Sequence, residues 1–227
     1  MRIGILGTGI VGRTLATALA AQGHDVAIGT RNVDALMART DPDQMGNPPF
    51  SVWHADHANI GVAVFADAAA HGELLVNAAH GDACIDALTA AGAENLDGKV
   101  LIDPSNALDF SQGFPPFLFV SNTDSLAEQI QRAFPQVKVV KALNTMTAAL
   151  MVDPAALAGG DHTVFVCGND EAAKTQVTGL LRDAFGWRDI LDLGDITNAR
   201  ATEGYLLMWT RTMPAVGTEL FNIKVVK

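Results

Sequence analysis

The feature that most constrains this chain is Gly7-Thr8-Gly9-Ile10-Val11-Gly12, which follows an apolar run at residues 2–6 and opens a helical, small-residue stretch at 11–22. Glycines at that spacing between a strand and a helix permit few geometries. Gly7 suits a tight turn, Gly9 lets another group approach the backbone with no Cβ in the way, and Gly12 lets the helix pack close on the strand. The outward amides and the positive end of the helix dipole then form an anion site. With a second strand at 25–29, the pattern reads as the first half of an open parallel sheet.

The same alternation continues. Further strands are expected at 62–65, 74–77, 100–103, 137–142, 163–167 and 190–193, several of them the continuous apolar runs typical of strands covered on both faces. Helices are expected at 33–39, 83–91, 125–134 and 171–185, the last bracketed by Asn169-Asp170 as a cap and Gly186 as a stop. Segments 41–56 and 108–123 resist regular assignment, because Asn47-Pro48-Pro49 and Gly113-Phe114-Pro115-Pro116 punctuate them. The expected fold class is therefore α/β, a Rossmann-type doubly wound and mostly parallel sheet over residues 1–196, with a C-terminal helical extension at 197–227. That extension reads as one helix at 199–212, then Pro214, a Gly217 turn and an apolar tail. Its band from Tyr205 to Trp209 is apolar nearly all round, which fits ordinary core as well as a subunit interface. A homodimer is the expectation.

Composition narrows the partners. The formal net charge is -10, which opposes attraction to nucleic acid or anionic lipid. Although 49% of residues are hydrophobic, no uninterrupted apolar run is long enough to span a bilayer. The first strand begins almost at Met1 without a signal-peptide pattern, so a cytoplasmic address is expected. Cys84 and Cys167 stand far apart and read as buried reduced thiols. The histidines show no metal-ligand spacing: His54 and His57 share a loop, and His162 begins a strand. No metal is expected.

The second strand ends in Gly29-Thr30-Arg31-Asn32, where a protein specific for NAD usually places a carboxylate for the ribose hydroxyls. A hydroxyl at Thr30 and a forked guanidinium at Arg31 suit a 2′-phosphate instead, so NADP(H) is favoured. The plainer alternative is that Arg31 is a solvated surface residue. Three later strand ends, Asn77-Ala78-Ala79-His80, Asp103-Pro104-Ser105-Asn106 and Ala142-Leu143-Asn144-Thr145, face the same crevice in a doubly wound sheet. Ala78 and Ala79 leave room for a ring. Asn77, Ser105, Asn106 and Asn144 offer neutral hydrogen-bonding groups, each of which taken alone reads more readily as a loop cap. His80 is a candidate acid or base with the same alternative.

These residues resemble the NADPH-dependent reductases of coenzyme F420, a deazaflavin. The likeness runs nearly end to end. It rests on Gly7 to Gly12, Gly29-Thr30-Arg31, Val139-Val140-Lys141-Ala142-Leu143-Asn144-Thr145, Val164-Phe165-Val166-Cys167-Gly168-Asn169-Asp170, Asp192-Leu193-Gly194 and Asn198-Ala199-Arg200. The resemblance implies that Thr8, Gly9, Ile10 and Val11 contact the pyrophosphate, Thr30 and Arg31 the 2′-phosphate, and Asn77, Ala79, Pro104 and Ala142 the nicotinamide half. It implies direct hydride transfer between NADPH and F420, with no dedicated acid or base. Relatives carry a second basic residue where this chain has Ala35, a bulky aromatic near His80 and a histidine at Asn144, so the cofactor grip carries over better than the acceptor. The dinucleotide half also resembles the NADPH domain of membrane ferric reductases, as a fold analogy. Two alternatives stay open: a reductase of a flavin or small carbonyl or imine substrate, and a non-catalytic NADP(H)-binding redox sensor.

Overall fold

A computed structural model describes residues 1–43 and 46–227; residues 44 and 45, within the segment left unassigned above, lie outside the described residues. The strands are β1 (Arg2–Leu6), β2 (Asp25–Thr30), β3 (Gly61–Val64), β4 (Leu74–Asn77), β5 (Val100–Asp103), β6 (Leu108–Asp109), β7 (Phe117–Leu118), β8 (Lys138–Ala142), β9 (Thr163–Gly168) and β10 (Asp189–Asp192). One sheet has the order β10-β9-β8-β5-β4-β1-β2-β3, and β6 pairs with β7 in a separate antiparallel hairpin. From β3 to β8 every pairing is parallel. β9 joins β8 antiparallel and β10 runs parallel to β9. This is the doubly wound, mostly parallel sheet expected.

The central strands stay buried because both faces are apolar. Ile3, Ile5, Val26, Ile28, Leu74 and Val76 belong to one core cluster, while Leu6, Ala27, Leu75, Leu101 and Val139 belong to a second. Period-two alternation sends successive residues to opposite faces, so each face acquires its own helical cover. Leu6 pairs with Gly29 on one side and with Asn77 on the other. The chain therefore leaves β1 where the strand order reverses, and the ends of β2 and β4 flank that point. Ligands of open α/β sheets bind at such a crevice.

Helix ends follow local chemistry. Asp170 accepts a hydrogen bond from Ala173 N at 2.8 Å to start the helix Glu171–Phe185, which Gly186 ends at φ 81°. Ser125 accepts from Glu128 N at 3.2 Å and its hydroxyl donates to Glu128 Oε2 at 2.8 Å, which starts the helix Leu126–Ala133.

Three expectations need correction. Segment 41–56 contains a helix, Phe50–Ala55, which begins after Pro49 and buries Phe50. Segment 108–123 contains the β6–β7 hairpin. The C-terminal helix is two helices, Ala199–Gly204 and Leu206–Val216, and the second passes through Pro214 before Gly217 ends it at φ 74°. Pro214 stands in the last turn, where its missing N–H forfeits one backbone bond. Beyond it the tail turns back onto the sheet: Thr163 N donates to Ile223 O at 2.9 Å, and Lys224 Nζ lies 2.9 Å from both Asp161 and Asp189.

Candidate functional site

The glycine turn is built from two closed positions and one open one. Gly7 has φ 133°, and a Cβ added there would stand 2.2 Å from Ala78 O. At Gly12 an added Cβ would stand 2.2 Å from Gly7 O. At Gly9, by contrast, it would meet nothing within 4 Å. The backbone is thus packed tight beneath the turn and bare above it. Gly9 also caps the helix Ile10–Ala21, with no side-chain cap and no acidic residue in the first turn. Those amide donors stay available to an anion, and the residues present fit a dinucleotide pyrophosphate.

Arg13, which sequence reasoning missed, holds this turn in place. Its Nε donates to Thr8 O at 2.9 Å, its Nη1 donates to Pro48 O at 2.7 Å, and its guanidinium lies 5.3 Å from the Phe50 ring centroid. A guanidinium can reach two carbonyls at once because its donors form a planar fork. An arginine one residue past the motif was the available signal. Thr30 ends β2 half-buried, Arg31 is exposed, and Asn32 accepts from Ala35 N at 2.8 Å to cap the next turn. Arg31 thus follows the end of β2 with its side chain exposed.

The far wall carries a buried polar network. Lys141 Nζ lies 2.9 Å from Asp103 Oδ2 and 2.9 Å from Glu203 Oε1, and donates to the Ser105 carbonyl. Asp103 Oδ1 accepts from Ser105 Oγ at 2.6 Å and from Asn77 Nδ2 at 2.9 Å. Burial pulls the Lys141 pKa down, but Asp103 and Glu203 outweigh it and hold the ammonium above its ordinary range. Desolvation pushes the Cys84 thiol up to about 11, so it stays protonated beside Asn77.

The network decides what Asn77 presents. Its side chain is fully buried, its Nδ2 is committed, and its Oδ1 has no partner. Pro104 is buried, and Ala142 lies in the core with no exposed surface. Ala78 and Ala79 are half-buried at the crevice. Asn106 and Asn144 exchange hydrogen bonds with each other at 2.9 Å, Nδ2 of Asn106 to the Asn144 carbonyl and Nδ2 of Asn144 to Asn106 Oδ1. They brace two strand ends.

Beside this wall opens a cleft of about 690 Å³ lined by His80, Asp82, Leu108, Asp109, Phe110, Ser111 and Phe119. His80 is exposed, its Nδ1 lies 2.7 Å from Asp82 Oδ1, and its ring lies 6.3 Å from that of Phe110. Hairpin residue Phe110 thus supplies an aromatic next to His80 from elsewhere in the chain. Among the described residues no group of three or more His, Cys, Asp or Glu is placed to hold a metal.

The model for NADP oxidoreductases dependent on coenzyme F420 matches residues 2–107. A crystal structure of a provisionally assigned F420-dependent NADP reductase from Arthrobacter sp. FB24 is 57% identical, covers 100% of both chains and gives a TM-score of 0.96. The chain belongs to the F420-dependent NADP oxidoreductase family. A second relative, the F420-dependent NADP reductase of Methanocaldococcus jannaschii, is 32% identical over 114 residues, 48% of each protein. The metalloreductase STEAP3 of Rattus norvegicus is 30% identical over 210 residues, covering 89% of this chain and 36% of the relative. The chain spans about a third of the length of the metalloreductases it matches. Among the described residues no helix is long and apolar enough to cross a membrane.

Proposed function

We propose that this F420-dependent NADP oxidoreductase family member holds NADPH across the β1–β4 crevice and exchanges a hydride between it and a deazaflavin. The observation that carries the reading is the bare backbone over Gly9 between the closed positions Gly7 and Gly12, at the point where the strand order reverses. In this reading the amides of Thr8 to Val11 receive the pyrophosphate, while Thr30 and Arg31 receive the 2′-phosphate. When bound, NADPH supplies a hydride from its nicotinamide ring that is taken up at C5 of the deazaflavin.

The chain's own work is alignment. Ala78 and Ala79 leave width for a flat ring, and the Lys141–Asp103–Asn77 network holds the far wall against movement. The aromatic hairpin limits water around the second ring. Rates of such reactions depend on near-attack geometry, not on a protein acid or base. Screening NADPH oxidation against purified deazaflavin, flavins and simple carbonyls tests the reading; turnover with a flavin or carbonyl but not with deazaflavin would overturn it.

The same proposal includes a cytoplasmic homodimer, with residues 197–227 as an extension that contributes to the contact. Leu207, Met208, Val216 and Leu220 support it as exposed apolar groups on that extension. Sedimentation as a monodisperse monomer at high micromolar concentration would contradict the dimer.

A further inference from the structure

The buried network behind the crevice does not balance its charge. The side chains of Asp103, Lys141 and Glu203 are 0%, 1% and 2% exposed, two carboxylates against one ammonium. Among the described residues no second cation pairs with either carboxylate. Their other partners are neutral: Asn77 Nδ2, Ser105 Oγ and Ser105 N donate to Asp103, and the backbone amides of Leu126 and Ala127 donate to Glu203. Every partner donates, as an ionised carboxylate, which can only accept, requires. Glu128, on the same helix as those two amides, is by contrast matched by Arg200 at 2.6 Å.

The surplus negative charge reaches the crevice wall. Asp103 ends β5 and holds Asn77 at the end of β4. Cys84 Sγ lies 3.2 Å from Asn77 Nδ2 and registers the sign there: burial raises its pKa most, Asp103 raises it further, and Lys141 lowers it by less. With water excluded, such charges act over several ångströms with far less screening than in solution. Giving up a hydride leaves the nicotinamide ring with a positive charge that NADPH lacks, while the rest of the nucleotide is unchanged. A negative wall therefore discriminates between the two oxidation states.

Resting on the NADP(H) reading above but on no particular hydride acceptor, we propose that the Asp103, Lys141 and Glu203 triad biases the crevice toward NADP+ over NADPH, so that bound NADPH is a readier hydride donor than it would be beside a neutral wall. Glu203 acts through Lys141 and Asp103, and so brings the helix Ala199–Gly204 into the electrostatics of the nucleotide site.

The experiment titrates the full chain with NADPH by fluorescence and with NADP+ by calorimetry, in the parent protein, in Glu203→Gln and in Asp103→Asn. Each substitution removes one carboxylate charge from a different end of the triad and keeps the size of the side chain, so either variant that folds decides the question. The readout is the ratio of the NADP+ Kd to the NADPH Kd, because a loosened fold weakens both nucleotides and cancels. Neutralising the triad should raise that ratio by at least about threefold. Lys141→Arg, which keeps the charge and disturbs the packing, should leave it within about twofold of the parent. A shift there as large as in the neutralised variants would assign the effect to packing and overturn the proposal. A ratio unchanged within about twofold in the neutralised variants would also overturn it and leave the NADP(H) reading standing. Binding of neither nucleotide by the parent protein would overturn both.

Discussion

Lys141 and Glu203 meet at 2.9 Å with both side chains almost sealed from water, joining the last of the parallel strands to the first C-terminal helix. Glu203 also accepts from Leu126 N at 2.8 Å and Ala127 N at 3.0 Å, so one carboxylate ties together three elements. Glu203→Ala leaves a buried ammonium short of a partner and two amides bare, and should cost about 3–5 kcal/mol. Urea denaturation at pH 7 measures it; a loss below about 1 kcal/mol would contradict the account. Because the Lys141 pKa is raised, its contribution is fully present below the unfolded value and is lost only as pH climbs through the folded one. The cost should therefore be flat between about pH 6 and pH 9.

Gly7→Ala and Gly9→Ala should behave oppositely. A methyl at Gly7 strikes Ala78 O from a backbone at φ 133°, so the apo protein should lose stability by roughly 2 kcal/mol or more. A methyl at Gly9 meets no protein atom, so the melting temperature should hold while NADPH affinity falls at least about tenfold. Equal effects of both on stability would refute the open cradle.

Arg13→Lys keeps the charge and loses the fork that reaches Thr8 O and Pro48 O together. NADPH affinity should fall by about tenfold, or about 1.4 kcal/mol, as the turn loosens. Calorimetric titration with unchanged affinity would show that Arg13 is packing only.

Arg31→Ala should weaken NADPH by about ten- to a hundredfold, roughly 1.5–3 kcal/mol, and leave NADH binding where it was. Parallel titrations with both nucleotides decide it. Equal affinity of the parent protein for the two would remove the basis for a 2′-phosphate site.

Much of the sheet was readable from the chain because its strands are short apolar runs with turn residues at each end; β1, β4 and β5 match the expected ranges to the residue. The glycine turn was equally plain, since three glycines at fixed spacing have one packing solution beside a strand. The helix at Phe50–Ala55 was obscured by the prolines before it and by its short length, with Phe50 as its only buried residue. The Asp103–Lys141–Glu203 network could not be read, because its members lie 38 and 62 residues apart and only the sheet order and the docking of the C-terminal helix bring them together. For the same reason the Phe110 ring near His80 was invisible: a hairpin broken by Gly113, Pro115 and Pro116 offers no period to follow.

Isotope transfer distinguishes direct hydride passage between NADPH and a deazaflavin from any route through solvent. NADPH carrying deuterium stereospecifically at nicotinamide C4 is mixed with the enzyme and oxidised deazaflavin in ordinary water, and the product is read by mass spectrometry and NMR. The account expects the label at C5 of the reduced deazaflavin without wash-out. Complete exchange of the label with solvent, or no reduction of the deazaflavin at all, would contradict it.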